Sequence, residues 1–157
     1  MAVATYTSTV YANFGPKAVH IGNVTVSGQY ANLAAATGVT IGDTILLAKI
    51  PHGAKIIDMQ VDHTTNETAL GIQYGLGSGA VAGGGASYSC FSATLAKSTI
   101  SRITVQRPYG VGLQAVSVSD NDPNRFAAFT ATILSGTASA SFAINFQITY
   151  TMDGGQG

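Results

Sequence analysis

The residues able to do chemistry are few and scattered. Three histidines, His20, His52 and His63, are the only imidazoles in the chain. A Ser-His-Asp arrangement has no fixed chain order, but no G-x-S-x-G elbow accompanies them. Gly85-Ala86-Ser87-Tyr88-Ser89 comes nearest and lacks the last glycine. Asp58 and Asp62 lie four apart, on one face of a strand, where two carboxylates are solvated unless a cleft separates their acidities. Asp62 and His63 are chain neighbours, so a strand sends them to opposite faces. Asp120-Asn121-Asp122-Pro123-Asn124 opens like a calcium loop. Arg125 stands where that loop needs glycine, and Ala131 where it needs an acid. A turn held by side-chain-to-backbone hydrogen bonds accounts for it.

Gly77-Ser78-Gly79-Ala80-Val81-Ala82 fits G-x-G-x-x-A in form. A dinucleotide site also needs a following helix and an acid about 20 residues on. The next acid is Asp120. Cys90 is the only cysteine, so no intrachain disulfide forms. Asn23-Val24-Thr25 and Asn66-Glu67-Thr68 match the glycosylation acceptor pattern, which acts only in a secreted chain. The chemistry thus points to no catalytic residues, no metal site and no cofactor.

Composition narrows the partners. Of 157 residues only seven are basic and seven acidic, giving zero formal net charge. Seven cations cannot track many phosphates, so nucleic acid is not expected as a partner. Nor is an anionic membrane surface. No apolar run is long enough to span a bilayer, and the N-terminal stretch lacks the pattern of a signal peptide. Synthesis in a cytoplasm is the expectation. Hydrophobic residues make up 46%, too many for a disordered chain. Ala, Ser, Thr and Gly supply 73 residues. A neutral surface of small side chains lacks the usual colloidal protection of charge. It suits contact with copies of itself or with a partner.

The elements that position these residues follow a period of two. Phe142, Ile144, Phe146, Ile148, Tyr150 and Met152 alternate with Ala143, Asn145, Gln147, Thr149 and Thr151. Ile57, Met59 and Val61 alternate with Asp58, Gln60 and Asp62. Leu70, Ile72 and Tyr74 alternate with Ala69, Gly71 and Gln73. Val111, Leu113 and Ala115 give a shorter run. Thr44 to Ile50 is continuously apolar, as in a strand buried on both faces. Phe126 to Leu134 is rich in residues that favour strands. Tyr6 to Ala12 and Ile21 to Val26 are further candidates. Turn signals such as Pro51-His52-Gly53 and Ser135-Gly136-Thr137 separate the runs. Strands spaced in this way predict an all-β, antiparallel β-sandwich of jelly-roll type in a single domain over 1–157. Residues 75–85, with six glycines in GLGSGAVAGGG, are expected to form a loop.

Three segments carry a resemblance. Gly42-Asp43-Thr44-Ile45-Leu46-Leu47-Ala48-Lys49-Ile50-Pro51-His52-Gly53-Ala54-Lys55-Ile56-Ile57-Asp58 resembles the "strand, Pro-x-Gly-Ala, strand" segment of small head proteins of tailed bacteriophages. Asp122-Pro123-Asn124-Arg125-Phe126 resembles their Asp-Pro-x-Arg-Phe segment. The final strand, ending Tyr150-Thr151-Met152, resembles their last. Together these span about residues 40–152. The resemblance implies a capsid decoration, or cement, protein. It implies a β-sandwich, a homotrimer, and a place on the outer surface of the capsid. There it would bind the major capsid protein and brace the lattice of the virion. A tail or adhesion β-sandwich module that binds a sugar or other ligand is the alternative.

Contact residues are expected in two places. Residues 1–17 are read as an extended N-terminal arm with Tyr6, Tyr11, Phe14 and Lys17 as anchors for the capsid or another subunit. A first strand of the domain's own sheet is the competing reading of that segment. The Gly-rich loop offers Gly79 and Gly84.

Overall fold

The computed structural model describes residues 4–13, 23–31, 38–51, 54–63, 70–78, 95–96, 102–104, 126–139 and 141–152. Among these residues nine strands and one short helix follow in chain order. They are β1 (Thr5–Thr7), α1 (Thr9–Asn13), β2 (Asn23–Ala31), β3 (Thr44–Pro51), β4 (Ala54–His63), β5 (Gly71–Ser78), β6 (Leu95–Ala96), β7 (Arg102–Thr104), β8 (Phe126–Ser135) and β9 (Ala143–Met152). They form two sheets, ordered β1-β3-β8-β5-β6 and β2-β9-β4-β7. From β2 to β5 successive strands go to alternate sheets, and the first and last of the wound ribbon, β2 and β9, lie side by side. This is the double-sheet winding expected of a jelly roll, with β1 added at one edge.

Alternation does what it should in β9. Ile144, Phe146, Ile148 and Tyr150 are buried, while Asn145, Gln147, Thr149 and Thr151 are only partly covered. Their apolar face meets the inner face of β8, from which Ala127, Phe129, Ala131 and Ile133 enter the same core. Leu70, Ile72 and Tyr74 also point inward, as their spacing predicts. Phe129 touches Phe146 edge to face across the two sheets at 6.1 Å, and stacks on Tyr74 at 6.2 Å.

Two strands meet a different arrangement from the one their spacing predicts. Ile57 is 42% exposed, and Ile56 takes the core position in its place. The cause is a bulge: Ile56 pairs with Tyr150 and Asp58 with Thr149, so Ile57 is the extra residue. A bulge flips the parity of everything before it. The same device in β3 pairs Leu46 with Thr130 and Ala48 with Phe129, leaving Leu47 as the insertion. Leu47 and Ala48 are therefore both buried. The continuous apolar run of β3 is a parity switch; its outward residues, Leu46 and Lys49, are covered by α1.

The N-terminal segment follows the second of its two readings over Thr5–Thr7. Among the described residues it is not extended away from the domain. Thr5–Thr7 pair with Thr44–Leu46 as the edge strand of the domain's own sheet, in parallel. Thr9 to Ala12, expected as the end of a strand running from Tyr6, lie in the helix Thr9–Asn13. Ser8 caps this helix: its hydroxyl accepts from Tyr11 N at 3.0 Å and donates to Leu47 O. In the glycine-rich stretch, Gly75–Ser78 belong to β5 and pair with Thr130–Ala127, so strand replaces loop at its start. The remainder of that stretch and Val111–Ala115 lie outside the described residues.

Gly28 shows how tightly α1 closes the sandwich. A Cβ built at Gly28 would stand 2.2 Å from Val10 Cγ2. Replacing glycine in a strand interior by alanine ordinarily relieves an entropic cost. Here overpacking wins, so Gly28→Ala is expected to lower unfolding free energy by about 1–3 kcal/mol in urea titration. Adding Val10→Ala removes the clashing atom and is expected to recover most of the loss.

Candidate functional site

The described residues gather no catalytic constellation. No three His, Cys, Asp or Glu side chains among them converge on a point that would hold a metal. No helix among them is long and apolar enough to cross a membrane. Asp58 and Asp62 do share the outer face of β4, as read from their spacing, opposite Thr149 and Asn145 of β9. Asp58 accepts a hydrogen bond from Gln60 Nε2 at 3.2 Å. His20, His52 and the Asp120–Asn124 turn lie outside the described residues.

What the structure does build is a docking site for the N-terminal segment. Its centre is Asp43, a carboxylate only 2% exposed. The turn Thr40–Asp43 sets it in place: Asp43 N donates to Thr40 O at 3.0 Å, and Gly42 takes φ 91° at the third position. Such a turn needs the left-handed backbone that glycine adopts freely. Asp43 Oδ1 accepts from Ala4 N at 2.7 Å. Oδ2 accepts from Thr40 N at 2.8 Å and Thr40 Oγ1 at 3.1 Å. These partners are neutral donors, a sound way to hold a buried acid. The backbone of Asp43 also binds β8, through Ile133 N to Asp43 O at 3.0 Å.

The two expected anchors that the structure describes go to opposite sides of this segment. Tyr6 packs at the rim of the main core, its ring edge-on to Tyr30 at 6.3 Å. Tyr11 is 8% exposed and belongs to a separate cluster with Phe126 and Ala128 on the outer face of the β8 sheet. Its ring meets Phe126 at 6.1 Å, and the Lys49 ammonium lies 5.1 Å from the Tyr11 ring centre and 5.2 Å from that of Phe126. Phe14, Lys17, Gly79 and Gly84 lie outside the described residues. Sequence reading missed Asp43, Ser8, Gly28 and Lys49. The one local signal was Gly42-Asp43 ahead of an apolar run, a turn sequence whose burial no local pattern announces.

Electrostatics follow the packing. Burial pushes the Tyr30 hydroxyl up to about 12, with the negative charges of ionised Tyr6 and of Asp43 adding to it. Burial alone raises Tyr74 well above the usual range. On the outer face of the opposite sheet, beside Asp58 and Asp62, neutral groups pair with one another: Thr25 Oγ1 and Thr149 Oγ1 lie 3.0 Å apart, and Gln29 Nε2 donates to Asn145 Oδ1 at 2.9 Å.

No protein-family model matches the chain, and no curated protein sequence is significantly similar to it. Solved structures do match. A chain in the capsid of Ralstonia phage GP4 superposes with a TM-score of 0.69, over 98% of this chain and 99% of that one, at 13% identity. The fold is one found in a phage capsid. A chain of the cyanophage Pam1 capsid asymmetric unit superposes with a TM-score of 0.57, over 90% and 95% of the two chains, at 18% identity.

Two outcomes are expected of this site. Asp43→Ala strands the Ala4 and Thr40 amides and is expected to lower unfolding free energy by about 2–3 kcal/mol. Amide exchange would quicken first at Thr7 and Ser8. Second, a tyrosine whose native pKa exceeds its unfolded value of about 10 holds its proton more tightly when folded. Its contribution is intact below pH 10 and is lost as pH rises toward 12. Urea titrations across that window are expected to show falling stability, with a shallower fall in Tyr30→Phe.

Proposed function

We propose that this chain is a virion structural protein, and specifically a decoration protein that binds the outside of a phage capsid and stabilises its lattice. The observation that carries the reading is the end-to-end match with a chain of the Ralstonia phage GP4 capsid, which leaves almost nothing of either chain over. The neutral composition supports it, since zero formal charge suits repeated close contact between identical surfaces. The solved neighbours are capsids, which favours this reading over a sugar-binding tail module.

The mechanism is mass action. A protein that binds the expanded, mature shell and not its precursor stabilises the mature shell by its differential affinity. The partner is the major capsid protein, and each site's modest contact is multiplied by a self-assembled trimer engaging several sites at once.

Purified protein added to mature capsids stripped of it is expected to co-sediment with them and to raise their temperature of DNA release. Folded protein that leaves both sedimentation and release unchanged sinks the reading. Sedimentation equilibrium is expected to give three times the chain mass of 16.0 kDa.

A further inference from the structure

The N-terminal segment is held as a ligand is held. Every group that receives it comes from another part of the chain. Asp43 takes Ala4 N, the carbonyls of Leu46 and Leu47 take Ser8, and Gly28 leaves space for Val10. Phe126 and Lys49 receive Tyr11. Strand β1 is also the one element paired in parallel among the described strands. Strands joined by short hairpins pair antiparallel, so connectivity does not put β1 at that edge; specific fit does.

An empty site is costly. Without the segment, Asp43 keeps a buried carboxylate with one oxygen unpartnered, Gly28 borders a void, and the Phe126 ring loses its cover. Each copy therefore needs an arm, but nothing in these contacts requires that the arm be its own. The nine residues between Asn13 and Asn23 reach at most roughly 30 Å. That is about twice the radius of gyration expected for a chain of this length, enough to cross to an adjoining molecule. Residues 1–13 carry no charged side chain, so no repulsion opposes the crossing.

We propose that Ala4–Asn13 is an exchange arm, which in the oligomer fills the Asp43–Gly28–Phe126 site of a neighbouring copy of this chain. Exchange makes the same contacts as self-docking and adds the burial of the surfaces it draws together, which makes swapping an inexpensive route to assembly. Passed head to tail, the contact closes into a ring. The inference rests on the self-assembly proposed above and not on capsid binding, so a protein that assembles and exchanges its arm without binding capsids would leave it standing.

Cross-linking within the assembled protein tests it. In a Cys90→Ser background, Val10→Cys is combined with Gly28→Cys. The Cβ built at Gly28 lies 3.2 Å from Val10 Cβ, a few tenths of an ångström short of disulfide spacing, and the substitution removes the obstructing Cγ2. A second pair, Thr5→Cys with Thr44→Cys, joins residues that stand opposite each other in register. The folded oligomer is oxidised, denatured and run without reductant. The expected result is that most of the protein migrates as covalent multimers, which reduction returns to single chains. Internally cross-linked single chains overturn the proposal. So does the absence of cross-links from both pairs, or a protein that is monomeric at every concentration.

Discussion

Phe129 and Phe146 meet edge to face in the middle of the molecule, and the two sheets are organised around that contact. Each ring sits on a central strand, β8 in one sheet and β9 in the other. Each strand has neighbours on both sides, so the contact fixes the spacing and stagger of both layers at once. Burying an aromatic side chain fully is worth roughly 1.5–3 kcal/mol, and an edge-to-face pair adds about 0.5–1.5 kcal/mol. Tyr74 stacks on the same ring from β5. The small side chains around them, Ala127, Ala131 and Ala48, let the layers approach closely enough for the rings to touch.

The bulges are the second organising device. A strand with a perfect alternation can face only one core. In β3, the inserted Leu47 lets Ile45 and Ile50 both point inward although they are five residues apart. It also sets Leu46 and Lys49 on the outer face, where α1 covers them. In β4 the insertion puts Ile57 outside and leaves Asp58 and Asp62 on the polar face. Leu134, 39% exposed, is skipped in the same way between β8 and β5. Two of the three large exposed apolar side chains among the described residues are thus products of register, and Ile41 at the Asp43 turn is the third.

Covering α1 joins these devices to function. The segment that carries it is the part of the chain most easily pictured elsewhere, since it is short, uncharged and held at an edge. The chain's neutrality, which first excluded nucleic acid as a partner, here removes the barrier between copies. Where the surface pairs its own neutral groups, as Thr25 with Thr149 and Gln29 with Asn145, the paired groups neither repel an identical face nor need water to satisfy them.

By itself the sequence determined the fold class, because alternation is a local property. The pattern from Phe142 to Met152 can bury its apolar side only as a strand, and that strand needs a second apolar sheet to face. The spacing of Leu70, Ile72 and Tyr74 was legible for the same reason. Tertiary structure decided the rest. Whether Ile56 or Ile57 enters the core depends on the hydrogen bonds of β9, almost a hundred residues later in the chain, so no window around β4 contains the answer. Tyr6 to Ala12 reads as one strand, yet only Tyr6 and Thr7 pair as strand, and from Thr9 the chain is a helix capped by Ser8, because Leu47 O and the outer face of β8 are there to receive it. Asp43 looks like an ordinary turn acid. It becomes the anchor of the N-terminal segment only because Ala4, 39 residues away in sequence, brings it a backbone amide. Local spacing encodes which face of an element is apolar; which partner meets that face is settled by contacts between distant residues.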